Sequence, residues 1–113
     1  MKLRKLICCG TMLVGCGSLT LLSAETKASA GEDVYKSHCV VCHGADGTGN
    51  TTLGKQLKAS DLHGEDVQKL TDAELKRVIS EGKNNMPAFS GQLTAAEIDD
   101  LVKYVRTFAR AKK

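Results

Sequence analysis

Tryptophan is absent from this chain, proline occurs once, and the aromatic residues are two phenylalanines and two tyrosines. So few rings leave little bulk to fill an interior. No segment alternates apolar and polar residues with period two, which removes support for a sheet architecture. Internal repeats are missing too, so solenoids and propellers are excluded. The 113 residues suffice for one small domain.

An excess of one charge is also lacking once the chain is divided. The formal net charge is +3, from 16 basic and 13 acidic residues. Lys2, Arg4, Lys5, Lys27 and Glu25 all fall within residues 1–30, which leaves 12 groups of each sign over 31–113. The apparent basicity belongs to the first segment, and nothing suggests nucleic acid as a partner.

That segment has the form of an export signal. Lys2, Arg4 and Lys5 precede "LICCGTMLVGCGSLTLLSA", 19 residues without a charge, and a polar "ETKASA" follows. A basic start, an apolar middle and the small-residue site at Ala28 to Ala30 describe a secretory signal peptide cleaved after Ala30. The remaining domain is then 31–113. A retained transmembrane anchor is the competing reading, since 19 uncharged residues just reach across a bilayer, but Gly10, Gly15 and Gly17 weaken it. "LVGC" at Leu13 to Cys16 also resembles the lipobox of bacterial lipoproteins, in which Cys16 would carry the lipid. The apolar "GSLTLLSA" after it is unlike the polar tether of such proteins, and cleavage after Ala30 is preferred.

Cysteine sorts in the same way. Of five cysteines, Cys8, Cys9 and Cys16 lie in the leader, and Cys39 and Cys42 remain. A disulfide between residues three apart closes a loop too short to stabilise much. A small exported domain with so few aromatics needs another staple. Something other than protein is expected to complete the core.

Three helical stretches are present. "EDVYKSHC" opens with Glu32 and Asp33, acids that suit a helix N-terminus. "TDAELKRVISEG" sets Thr71 and Glu74 at capping-box spacing, with Leu75, Val78 and Ile79 on one face and Gly82 as a stop. "TAAEIDDLVKYVRTFARAKK" repeats the device with Thr94 and Glu97, and Ile98, Leu101, Val102, Val105 and Phe108 recur at helical intervals. Between Gly44 and Gly64 the pattern dissolves into a segment with five glycines. A loop of that length in so small a domain implies that it wraps around something. The expected fold class is all-α, with glycine-rich loops packed on a non-protein core.

"CVVCH", residues 39–43, carries the chemistry. A structural zinc site wants four ligands in two pairs, and no second C-x-x-C exists. A redox dithiol expects a βαβ surrounding, which is missing. A plain disulfide leaves His43 without a role. Covalent haem attachment uses every residue: both thiols add across the porphyrin vinyl groups, and His43 lies beneath the iron as an imidazole ligand. Export agrees, because that attachment takes place outside the cytoplasm.

The second axial position separates electron carriers from catalytic haems. Met86 is the only methionine after residue 30, and it lies between two helices rather than on an apolar helical face. A methionine used as core filler usually sits within a periodic helix. Pro87 follows it and fixes the local backbone, as presenting a thioether from a loop requires. His63 is the rival ligand and Lys83 a third; His38, directly before the motif, cannot easily reach the opposite face.

With "VYKSHCVVCHGADGTG", "MPAF" and "LVKYVRTF" in this order, the chain resembles the class I c-type cytochromes, of the small single-haem bacterial kind. The resemblance implies that Cys39 and Cys42 hold haem c through thioethers and that His43 and Met86 ligate its iron. It also implies that the first and last helices cross, with Gly31, Tyr35, Leu101 and Tyr104 at the crossing. Many members orient the ligand histidine with the carbonyl of a proline shortly after the motif. Here Pro87 is the only proline, and a backbone carbonyl between Leu53 and Leu57 is expected to take that part.

With both axial positions filled, the expected function is one-electron transfer without catalysis, by a monomeric carrier in the bacterial periplasm that docks with a donor and an acceptor protein. Two other readings stand beside it. One is a haem enzyme or ligand-binding cytochrome that displaces Met86. The other is a subunit of a respiratory complex, lipid-anchored through Cys16 on the outer face of the inner membrane. Lys36, Lys55, Lys58 and Lys83 are candidates for a docking rim, against the blander reading of a scattered solvated surface.

Overall fold

The computed structural model describes residues 28–110; the expected export signal, Cys16 included, lies outside the described residues. Six helices follow in order: α1 (Ala28–His38), α2 (Val40–His43), α3 (Thr52–Leu57), α4 (Glu65–Gln68), α5 (Asp72–Glu81) and α6 (Ala95–Arg110). No strand occurs among the described residues, and the only ladder-type pairing is an isolated bridge between Lys83 and Met86. The all-α expectation holds.

The two capping boxes form as their spacing demands. The Thr71 hydroxyl accepts from Glu74 N–H at 3.2 Å while Thr71 N–H donates to the Glu74 carboxylate at 2.7 Å. Thr94 and Glu97 repeat the exchange at 3.2 and 2.8 Å. Each box satisfies N–H groups that a helix start otherwise leaves unpaired. Their acceptors are carboxylates, and these hydrogen bonds hold Glu74 and Glu97 below the ordinary glutamate range.

Part of the segment expected to be irregular is helical. In α3, Thr51 caps the start by accepting from Gly54 N–H at 2.8 Å, and Lys58 ends the helix in the left-handed region at φ 57°. Six residues are fewer than two turns, too short to imprint a period on the sequence.

The core is a crossing of α1 and α6. All five apolar positions read along the last helix, Ile98, Leu101, Val102, Val105 and Phe108, are buried. Tyr35 of α1 packs its ring 5.1 Å from Tyr104 and 5.4 Å from Phe108. Each such side chain removed from water contributes about 1.5–3 kcal/mol. Gly31 lies where α1 meets the Asp100 carbonyl and the Tyr104 Cβ. Leu75 and Ile79 of α5 join the same core.

Candidate cofactor site

Beside this crossing lies a cavity of about 730 Å³, walled by parts of α1, α2, α3 and α5 and by the 83–89 loop. Cys39, Cys42, His43 and Met86 all line it, and its remaining walls include Leu53, Leu57, Leu62 and Leu75. The volume falls in the range of cofactor sites.

Helix α1 breaks at Cys39 and restarts as α2, which carries Cys42 and His43. Tyr35 donates its hydroxyl hydrogen to Gly44 O at 2.6 Å and so anchors the exit from the motif. Thr51 holds the same turn through the carbonyls of Val41 and Cys42, each at 2.9 Å. Cys39 and Cys42 are not joined by a disulfide.

His43 Nδ1 lies 3.0 Å from the carbonyl oxygen of Ser60. A carbonyl only accepts, so Nδ1 bears the hydrogen, and in the neutral ring Nε2 is the nitrogen left to ligate. The expected carbonyl between Leu53 and Leu57 is therefore corrected to Ser60. Residues 52–57 form α3, whose carbonyls are taken elsewhere: Gly54 O accepts from Ala59 N–H at 2.8 Å and Leu57 O from the Asn85 amide at 3.1 Å. Only past Lys58 does the chain turn and present a free carbonyl to the imidazole.

Met86 stands on a tight turn after α5. Met86 N–H donates to Lys83 O at 2.9 Å, and Lys83 N–H returns to Met86 O at 3.2 Å. Gly82 at φ 77° and Asn84 at φ 52° bend the chain into that turn. The Asn85 amide donates to Leu57 O at 3.1 Å, pinning the turn to α3. Phe89 N–H then closes back on Ile79 O at 3.0 Å.

Of the rival ligands, Lys83 lines the cavity, as does His38, whose ring meets Phe89 edge-on at 6.1 Å. His63 is not among the lining residues. Its Nδ1 sits 2.8 Å from Asp61 and its ring meets Phe108 edge-on at 5.3 Å. Ser60, Thr51 and Asn85 were not singled out in the sequence. Ser60 acts through its backbone and Asn85 through an amide on a loop, neither of which leaves a residue-type signal.

Two thiols, an imidazole with a free Nε2 and a thioether, converging on an apolar cavity of this volume, fit a covalently attached haem. Comparison with known proteins agrees. Residues 26–105 match the family model described as cytochrome c oxidase, cbb3-type, subunit III. The chain is 31% identical to cytochrome c6 of Thermosynechococcus vestitus (strain NIES-2133 / IAM M-273 / BP-1), over 93% of this chain and 91% of that one. It is 36% identical to cytochrome c6 of Gracilaria tenuistipitata var. liui over 74% and 75%. Among solved structures, the KustC0563 c-type cytochrome superposes with a TM-score of 0.64 at 38% identity, covering 69% of this chain and 95% of that one. A cavity shaped and equipped in this way, matched over most of its length by such relatives, places the chain among the small class I c-type cytochromes, electron-transport proteins whose all-α fold encloses one covalently bound haem c.

Proposed function

We propose that this protein is an exported mono-haem carrier whose iron is held by His43 and Met86 and whose porphyrin is tethered by Cys39 and Cys42. The observation that carries the reading is the convergence of these four side chains on one cavity, with the Nδ1 of His43 already committed to Ser60. Bound there, haem c supplies an iron that cycles between ferric and ferrous states.

The chain's own part is to fix and to exclude. Cys39 and Cys42, which line the cavity, would hold the porphyrin through thioethers. Ser60 orients the His43 ring and raises its basicity as a ligand. The 83–86 turn presents the Met86 thioether, a soft donor that favours the reduced state. The leucine walls keep water from the metal. With protein donors on both sides no position is left for substrate, so electron transfer between partner proteins is the remaining chemistry. Export follows from residues 1–30 acting as a cleaved leader.

The test is a visible-to-near-infrared spectrum of the purified protein beside that of Met86→Ala. The expected outcome is loss of the methionine–ferric iron band, together with binding of added cyanide or imidazole. An unchanged spectrum would remove Met86 from the iron and move the assignment to another donor, Lys83, which lines the cavity, being the first to examine.

A complex-bound role is the second reading. The family model bears the name of an oxidase subunit, and the FixP subunit of the cbb3-type oxidase from Bradyrhizobium diazoefficiens (strain JCM 10833 / BCRC 13528 / IAM 13628 / NBRC 14792 / USDA 110) is 33% identical over 75% of this chain. The match spans only 29% of FixP, against 91% of the first c6 relative, which favours the free carrier. No helix among the described residues is long and apolar enough to cross a membrane. Mass analysis of the native N-terminus, with membrane fractionation, separates a carrier cleaved after Ala30 from one lipidated at Cys16.

A further inference from the structure

The carbonyl that receives His43 belongs to a segment, Ser60 to Leu62, that lies outside every helix and has to be held by something. Both backbone groups of Leu62 are committed: its N–H donates to Gly47 O at 2.7 Å, and its carbonyl accepts from Gln68 Nε2 at 2.6 Å. The same Gln68 Nε2 donates to Val105 O in α6 at 3.2 Å. Gln68 Oε1 receives Arg106 Nη1 at 3.3 Å, and that nitrogen also donates to Gln68 O at 2.9 Å. The Arg106 guanidinium completes its set on Leu70 O and on the Asp72 carboxylate, the latter at 2.8 and 3.0 Å.

This pattern leaves the Gln68 amide one orientation. Its two donors face two carbonyls, and its oxygen faces a guanidinium, so a flipped amide would oppose like to like on both sides. From α6 the chain of contacts runs through Arg106 and Gln68 to Leu62, two residues from the oxygen that holds His43.

We propose that Gln68, oriented by Arg106, is a positioning residue for the axial histidine: it fixes the 60–62 segment to α6 and thereby sets the hydrogen bond from His43 to Ser60. The proposal rests on the reading of His43 as an iron ligand. A firm hydrogen bond at Nδ1 makes the imidazole a stronger donor and stabilises ferric iron. Loosening it shifts the ferric/ferrous balance toward ferrous and raises the reduction potential. Glutamate at 68 would keep the Arg106 contact but set a carboxylate against two carbonyls, breaking the links to Leu62 and Val105.

The experiment compares holoprotein of the wild type, Gln68→Leu, Gln68→Glu and Thr94→Ala, the last removing a helix cap remote from the cavity. Solvent exchange of the His43 Nδ1 hydrogen is read by NMR on the ferrous form with ¹⁵N-labelled histidine, and the reduction potential by redox titration. In both Gln68 variants the exchange is expected to quicken by about tenfold, the factor for loss of one hydrogen bond, and the potential to rise. Thr94→Ala is expected to lose stability with both readouts at wild-type values. Wild-type exchange and potential in the Gln68 variants would overturn the proposal, as would equal changes in Thr94→Ala. If wild-type His43 shows no haem-shifted imidazole resonance, the ligand reading itself falls, and this proposal with it.

Discussion

Gly31 of α1 packs directly on the backbone carbonyl of Asp100 in α6, leaving no room for a Cβ. The crossing of the first and last helices is thus a backbone-to-backbone approach, and the side chains that surround it, Tyr35, Leu101 and Val102, are the most enclosed of the domain. At an open helical site, replacing glycine by alanine stabilises by up to about 1 kcal/mol. Here Gly31→Ala is expected to destabilise by about 1–3 kcal/mol, because the helices must separate to admit the methyl group. Denaturant unfolding of the holoprotein reads the sign, and a gain in stability would contradict the close approach.

Tyr35 joins that crossing to the cofactor site, since its hydroxyl donates to Gly44 O just beyond the attachment motif. Tyr35→Phe keeps the ring contacts and strands a buried carbonyl, at a cost of about 1–3 kcal/mol. Burial above all pushes the hydroxyl above its ordinary value of 10.0. Above that pH the unfolded chain gives up a proton that the folded chain retains. Stability therefore falls as pH rises past about 10, and the slope is expected to flatten in Tyr35→Phe. Unfolding midpoints across the alkaline range measure it.

Much of this was legible in the residues. Thr71 and Thr94, each three before a glutamate, announced two helix starts because a capping box is local chemistry with fixed spacing. The buried stripe from Ile98 to Phe108 followed from helical periodicity alone. Cys39, Cys42, His43 and Met86 were visible as a donor set before any geometry put them around one cavity. What escaped notice was carried by backbone. Ser60 holds His43 through its carbonyl, which every residue possesses, and the helix over 52–57 hid the carbonyls expected to do so. The contacts of Gln68 and Asp72 with α6 join residues more than 30 apart, a pairing that no local pattern encodes.

The two capping boxes also give the acid limb of stability. Hydrogen bonds from Thr71 and Thr94 lower the folded-state values of Glu74 and Glu97 beneath the ordinary 4.5. A depressed carboxylate contributes stability above its unfolded value and loses it as pH falls through the folded one. Stability is therefore expected to decline as pH drops below about 4.5. In Glu74→Gln with Glu97→Gln, the amide oxygens still accept from the threonine N–H groups but do not titrate. The double variant should unfold with a shallower dependence on pH in this range, seen in urea midpoints; an unchanged slope would assign the acid limb to other groups.

Asn85 offers the most direct handle on the proposed methionine ligand without touching it. Its amide ties the Met86 turn to Leu57 O, and the turn is otherwise closed only on itself and, through Phe89, on α5. Replacing it with alanine removes the one side-chain bond between that turn and α3, at a cost of about 0.5–1.5 kcal/mol. If Met86 holds the iron, that loss appears as easier opening of the turn, since the ligated and open states differ by this contact. Asn85→Ala is then expected to bind imidazole in the ferric state more tightly, by up to about tenfold, while keeping the methionine band in its absence. Titration of the ferric spectrum with imidazole reads the change. Affinity equal to that of the wild type would mean that the turn's position does not depend on α3.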